Sequence, residues 1–315
     1  MTRFDLNTPL SPLADPVIGA IFSSVEEAGL AAKSFISAIL ESDNNTKLEG
    51  KLIRITPQHY HLDPISRSCR VDVEVETDAN ERVIFEIQTS PDASIMKRDL
   101  FSTSHIMLET SNKGDLAYQM AKKMPKVISI NILTYNIRGN HTDLVQPFKI
   151  LYTKAPHDVA VPNFSGYNVQ LPRVLEVDPD FNSGLYCWCY TLYTAHLQGK
   201  SIQEVLAMTP ELQDYTQQDN GFLQFCHRYN RAVADPQTRD EYVRWYLTIM
   251  REEGMIEAAV EAAVEVAVEE ATQSVTQSVT HDIAHRMLLN NHTVEETADV
   301  TLLPLEEVMK IKTSL

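Results

Sequence analysis

Residues 69–89 read CRVDVEVETDANERVIFEIQT, and this stretch decides the fold. Val71, Val73 and Val75 alternate with Asp72, Glu74 and Glu76, the period-two pattern of a strand with one apolar and one acidic face. Arg82 to Thr89 forms a second strand, richer in apolar residues. The short link Asp78-Ala79-Asn80-Glu81 closes the two into a hairpin. Working outward, Lys51 to Thr56 reads as a short preceding strand and Lys126 to Tyr135 (KVISINILTY) as a following one. Apolar residues at spacings of three and four predict one helix or two short ones over 16–41, with Asp15-Pro16 as the cap, and helix again over 91–121. The order is α, β, β, β, α, β.

The hairpin also carries the chemistry. Glu86 and Gln88 lie two apart and share a face of their strand. If Asp72 faces the same side, two carboxylates converge, an arrangement suited to a hard divalent cation such as Mg²⁺, whose remaining positions go to water and a substrate phosphate. The Gln88 carboxamide is then placed to orient an attacking water. On the pattern alone, a half-buried strand with a solvated acidic face explains the same residues.

The 315-residue chain, 43% hydrophobic, is long enough for about two domains. Its four cysteines show no C-x-x-C pairing, which argues against a zinc ribbon or a dithiol redox centre and fits a reducing interior. No apolar run approaches a membrane span and the first residues do not read as a signal peptide, so a cytoplasmic protein with no membrane partner is expected. The formal net charge of −16 opposes indiscriminate nucleic-acid binding. The acids are concentrated, however, at Glu252, Glu253, Glu257, Glu261, Glu265, Glu269 and Glu270, whereas Lys97, Arg98, Lys113, Lys122, Lys123 and Lys126 leave a basic surface near the hairpin.

The ordered set LSPLAD (10–15), FISAIL (35–40), RVDVEVET (70–77), FEIQ (85–88), KRDLFSTS (97–104) and KVISINIL (126–133) resembles the Rpn family of recombination-promoting nucleases, the PD-(D/E)xK nuclease family transposases. The resemblance spans residues 9–135 and implies an α/β, restriction-endonuclease-like αβββαβ core. Asp72 stands at the family's hairpin aspartate, Glu86 and Gln88 at its E-x-Q variant of E-x-K, and Arg98 at the basic residue of the next helix. It implies catalytic roles for Asp72, Glu86, Gln88 and Arg98, with Asp72 and Glu86 as ligands of Mg²⁺ or Mn²⁺. The chain departs from the family where Asp15 is followed by Pro16-Val17-Ile18-Gly19 in place of x-x-Phe-Lys. It also lacks the lysine of E-x-K, leaving Lys97 or Arg98 to supply positive charge at the phosphate.

From 141 onward a strand is expected at Phe148 to Thr153 and helices over about 181–250. The low-complexity run 257–280 (EAAVEAAVEVAVEEATQSVTQSVT) reads as a long helix with separate Glu and Val stripes. The ending, IAHRMLLNNHTVEETADVTLLPLEEV, resembles the family's helix-turn-helix-like end, with Thr301-Leu302-Leu303-Pro304 for the usual Thr-Gly-Leu-Ser turn. Lys310 and Lys312 against Glu306 and Glu307 point to packing or self-association in preference to DNA reading. His281 and His285 sit four apart but without a third zinc ligand, His59 and His61 beside Asp63 read as solvated, and Cys187-Trp188-Cys189 reads as core.

These readings divide the chain into a nuclease core (1–140), a mixed then helix-rich extension (141–250), an acidic helix (251–280) and a small helical end (281–315). The expected function is Mg²⁺-dependent DNA endonuclease, linked by resemblance to recombination, mobile elements or phage defence, with a homo-oligomer formed through the C-terminal helices. The alternative is a catalytically weak or inactive nuclease fold that regulates or binds through its acidic helix.

Overall fold

The computed structural model describes residues 9–43, 46–61, 69–91, 94–109, 116–137, 142–313 and 315, the side chains of 59–61, 69–70, 156–157 and most of 252–277 excepted. The chain forms two compact units, 1–245 and 246–315.

The first unit begins with α1 (Asp15–Ile21) and α2 (Val25–Leu40), so of the one or two helices expected over 16–41 it is two that form. Ala14, not Asp15, is the residue preceding α1, and Pro16 sits in its first turn. Ser24 starts α2 by accepting the Glu27 N–H. The sheet strands follow: β1 (Leu52–His61), β2 (Cys69–Thr77) and β3 (Glu81–Gln88), then α3 (Ile95–Glu109), α4 (Ala117–Lys123) and β4 (Lys126–Leu133). β1 extends past the predicted Thr56 because its register with β2 continues to His61↔Cys69. Asn80, at φ +60°, makes the turn between β2 and β3, a conformation its short polar side chain tolerates.

Next come β5 (Val145–Phe148), β6 (Leu151–Tyr152), β7 (Ala155–Val159) and β8 (Phe164–Gln170). The main sheet has the order β1-β2-β3-β4-β8-β5, with β3, β4 and β8 parallel and both outer pairings antiparallel. The sheet thus draws on residues either side of position 140. The predicted strand 148–153 divides: β5 ends at Phe148, whose ring lies on Gly166 so closely that a Cβ there would collide with it, and β6 pairs with β7 in a separate two-stranded sheet.

Helices α5 (Gly184–Gln198), α6 (Ile202–Met208), α7 (Pro210–Gln218) and α8 (Asn220–Ala234) complete the layer begun by α1 and α2. On that face Val73, Phe85, Ile87 and Ile132 meet Phe22, Phe35, Trp188 and Phe225. Each such side chain contributes roughly 1.5–3 kcal/mol on burial. Polar bonds fix the layer: Trp188 Nε1 donates to Ser34 Oγ (3.0 Å), Tyr229 to the Leu10 carbonyl (2.7 Å), and buried Arg228 to the α1 carbonyls of Ala20 (2.5 Å) and Ile21 (3.1 Å). Cys187 and Cys189 are buried in this core and free. α3 covers the opposite face of the sheet, where Ile106 packs with Ile84 and Val127.

The helix α9 (Pro236–Leu289) contains the low-complexity run. In the second unit its end packs with α10 (Val294–Thr301) and α11 (Leu305–Thr313) around Leu288, Val294 and Val308. The expected capping box at Thr293 and Glu296 is present. Leu302 takes the left-handed conformation at φ +58°. His281 bonds Glu307 (2.8 Å) and Asp282 bonds Arg286 (2.8 Å).

Candidate active site

The β2–β3 ladder runs from Glu76↔Arg82 to Val73↔Phe85. Past it the main-chain N–H of Ile87 is taken by the Asp72 carboxylate, Oδ2 at 2.8 Å. The strict alternation expected of β2 breaks at the same place. Val73 lies on the α1–α2 face, whereas Val71 packs with Ile84, Ile106 and Val127 beneath α3. The break carries Asp72 onto β3 at the residue between Glu86 and Gln88.

Glu86 is only 7% exposed. Burial first, then the charge of Asp72, raises its proton affinity well above the usual carboxylate range; Asp99 and Asp15 add to this and Arg98 opposes it. Asp72 and Glu86 thus lie within electrostatic reach of each other. Gln88 is half-buried, and its Oε1 accepts from Arg98 Nη1 at 3.3 Å. The four predicted site residues come together at the end of the hairpin and the first turns of α3.

The acidic face of β2 is not solvated. Glu74 is 1% exposed and paired with Arg82, which also meets Glu76 (2.5 Å) and Glu109 (3.6 Å). α3 lies over this face, and Arg82 supplies the compensation that buried acids need. Of the predicted basic surface, Lys97, Arg98, Lys122 and Lys123 are exposed, Lys126 is held by Glu81 (2.7 Å), and Lys113 lies outside the described residues, as does Asp63.

Sequence reading missed Asp99. It is 3% exposed on the inner face of α3, bonded by the Ser129 hydroxyl, and burial pushes its carboxyl up to about 6 against the opposing pull of Ser129 and Asn131. Asn131 is fully buried and in register with Glu86 on the neighbouring strand; its Nδ2 donates to Asn168 Oδ1 (3.0 Å). Only the helical phase of Asp99 with Ile95, Ser102 and Ile106 pointed to its burial.

The mixed sheet thus carries two acids and a carboxamide together at the end of the β2–β3 hairpin. The chain belongs to the PD-(D/E)XK nuclease family transposases, whose family model matches residues 12–247. No curated protein and no solved structure matches it. PD-(D/E)XK nucleases are phosphodiester hydrolases that generally act with divalent metal ions. The donors present fit such an ion: the oxygens of Asp72 and Glu86 are hard ligands, and the raised proton affinity of Glu86 marks a place where positive charge is favoured. Among the described residues no three His, Cys, Asp or Glu side chains are grouped to hold an ion by themselves. No helix among the described residues is long and apolar enough to cross a membrane.

Proposed function

We propose that this chain is a DNA endonuclease whose divalent cation, Mg²⁺ with Mn²⁺ as substitute, is held by Asp72 and Glu86. The observation that carries this reading is the junction of the two acids, where Asp72 grips the Ile87 N–H and raises the proton affinity of Glu86. When bound, the cation supplies a more acidic water and a Lewis acid for the phosphate oxygen. Gln88 orients the attacking water through its amide, and Arg98, which donates to that amide, brings positive charge toward the phosphate. Exposed Lys97 beside Arg98 adds charge for the DNA backbone.

Supercoiled plasmid incubated with purified protein tests the reading. Nicking or linearisation is expected with Mg²⁺ or Mn²⁺ and none in EDTA, with Ca²⁺ supporting binding at most. Undiminished cleavage in EDTA sinks the metal mechanism. The free, buried described cysteines support a reducing, cytoplasmic setting, and the transposase description of the family supports a role in mobile elements, with recombination or phage defence as the related roles proposed.

The net charge of −16 favours a second reading, in which the fold is kept as a regulatory or binding module acting through its acidic helix. Loss of Mg²⁺ binding on Asp72→Ala, measured by calorimetry, separates the enzyme from that module.

A further inference from the structure

A carboxylate on the buried face of a helix is costly unless both oxygens are satisfied. Asp99 occupies such a face with Ile95, Ser102, Thr103 and Ile106. The Ser129 hydroxyl serves Oδ1, while among the described residues Oδ2 has no close hydrogen bond, only the pull of the nearby Asn131 amide, and Oδ1 of the buried Asn131 has no partner among them either. An asparagine at 99 would accept from Ser129 equally well without the charge, so the anchoring of α3 does not account for an acid here. What the acid adds is negative potential. Ser129 and Asn131, which Asp99 faces, are in register with Ile84 and Glu86 of the hairpin, and the Asp99 charge is felt at Glu86.

We propose that Asp99 is a positioning residue of the nuclease site: a third carboxylate, absent from the hairpin signature, that draws the divalent cation to Asp72 and Glu86 from the buried face of α3. The inference rests on the metal-site reading given above. Asp99 acts at a remove and not as a ligand, since no group of three acidic, His or Cys side chains among the described residues is arranged for chelation. Coulomb attraction falls only as the inverse of distance, and in a site sheltered from water it remains strong one residue beyond contact. One helical turn thereby serves both charges of the reaction, with Asp99 turned inward toward the cation and Arg98 outward toward the phosphate.

Calorimetric titration of the metal-free full chain with Mn²⁺ alone tests this, with thermal melts alongside. Asp99→Asn is expected to raise the Mn²⁺ dissociation constant at least tenfold while the metal-free melting temperature stays level or rises. Ser129→Ala, which leaves the charge and removes the hydroxyl, is expected to melt lower yet bind Mn²⁺ within about twofold of wild type. Equal Mn²⁺ affinity in wild type and Asp99→Asn would overturn the proposal, and so would a tenfold loss in Ser129→Ala. Asp72→Ala distinguishes the two layers of the argument. If it abolishes binding while Asp99→Asn does not, only the role of Asp99 fails; if it binds like wild type, the metal site itself fails. Should Asp99→Asn not fold, Asn131→Asp carries the test: an acid nearer Glu86 should tighten Mn²⁺ binding several-fold, and no tightening counts against the proposal.

Discussion

The Asp72 carboxylate accepts the Ile87 main-chain N–H at 2.8 Å, so one acid of the proposed metal pair also fixes the strand that carries the other. Asp72→Ala should abolish cleavage and also lower metal-free stability by about 1 kcal/mol, because the N–H loses its acceptor. Asp72→Asn keeps an acceptor oxygen and should melt near wild type, yet remain inactive. Plasmid cleavage and thermal melts check the pair; cleavage surviving in either variant would show the site to be elsewhere.

Gln88 and Arg98 share a hydrogen bond and are expected to act as a unit. Each alanine variant should lose at least tenfold in cleavage rate with Mn²⁺ affinity kept within a few-fold. The double variant should lose much less than the product of the two losses. Gln88→Lys, which restores the commoner signature, should keep or increase the rate. Independent, multiplicative losses would separate the two residues.

Glu74 is a structural acid, and its burial makes it unsuitable as a neutral control for the hairpin. Glu74→Ala should cost about 1–3 kcal/mol, because Arg82 then relies on Glu76 and Glu109 alone. The folded fraction should still bind Mn²⁺ as wild type does. Denaturant melts and calorimetry read the two effects apart; a loss of Mn²⁺ binding without a loss of stability would mean the register on β2 is misassigned.

Asp99 makes stability depend on pH in a defined direction. Its folded value of about 6 exceeds the usual 3.8, so the fold binds the proton more tightly than the unfolded chain does. The resulting stabilisation is complete below about 3.8 and is lost as the pH rises through about 6, a swing on the order of 3 kcal/mol. Glu86, also raised, adds a loss of the same sign. Metal-free wild type should therefore weaken between pH 4.5 and 7 relative to Asp99→Asn, as urea unfolding at both pH values will show. Parallel curves for the two proteins would contradict the assigned burial.

The family match ends at residue 247 and the second compact unit begins at 246, next to the glutamate-rich run. Glutamates four apart destabilise an isolated helix by about 0.2–0.5 kcal/mol per pair, which calls for a compensating surface. Truncation after Arg251 should change the oligomeric state or raise nuclease activity. Light scattering and cleavage assays that show neither change would reduce the segment to a solvated helix.

The hairpin was legible because period two puts Glu86 and Gln88 on one face whatever lies around them. The break at Asp72 was not, since it depends on where the β2–β3 ladder ends. The burial of Glu74 required knowing that α3 lies above and that Arg82 stands opposite Glu76. Asp99, within KRDLFSTS, reads as an ordinary surface acid until Ser129 is placed beneath it. β8 was hidden because parallel pairing with β4 joins residues more than thirty apart, across a segment that holds β5, β6 and β7.

The hairpin that carries Asp72 and Glu86 is backed by Trp188 and Phe225, aromatic residues encoded far downstream. During translation, β3 therefore emerges well before α8, which ends at Ala234. At 5–20 residues per second the interval is roughly 7–30 s, in which Val73, Phe85 and Ile87 lack the cover of Trp188 and Phe225. The nascent chain thus holds all its proposed site residues before it holds the scaffold that orders them.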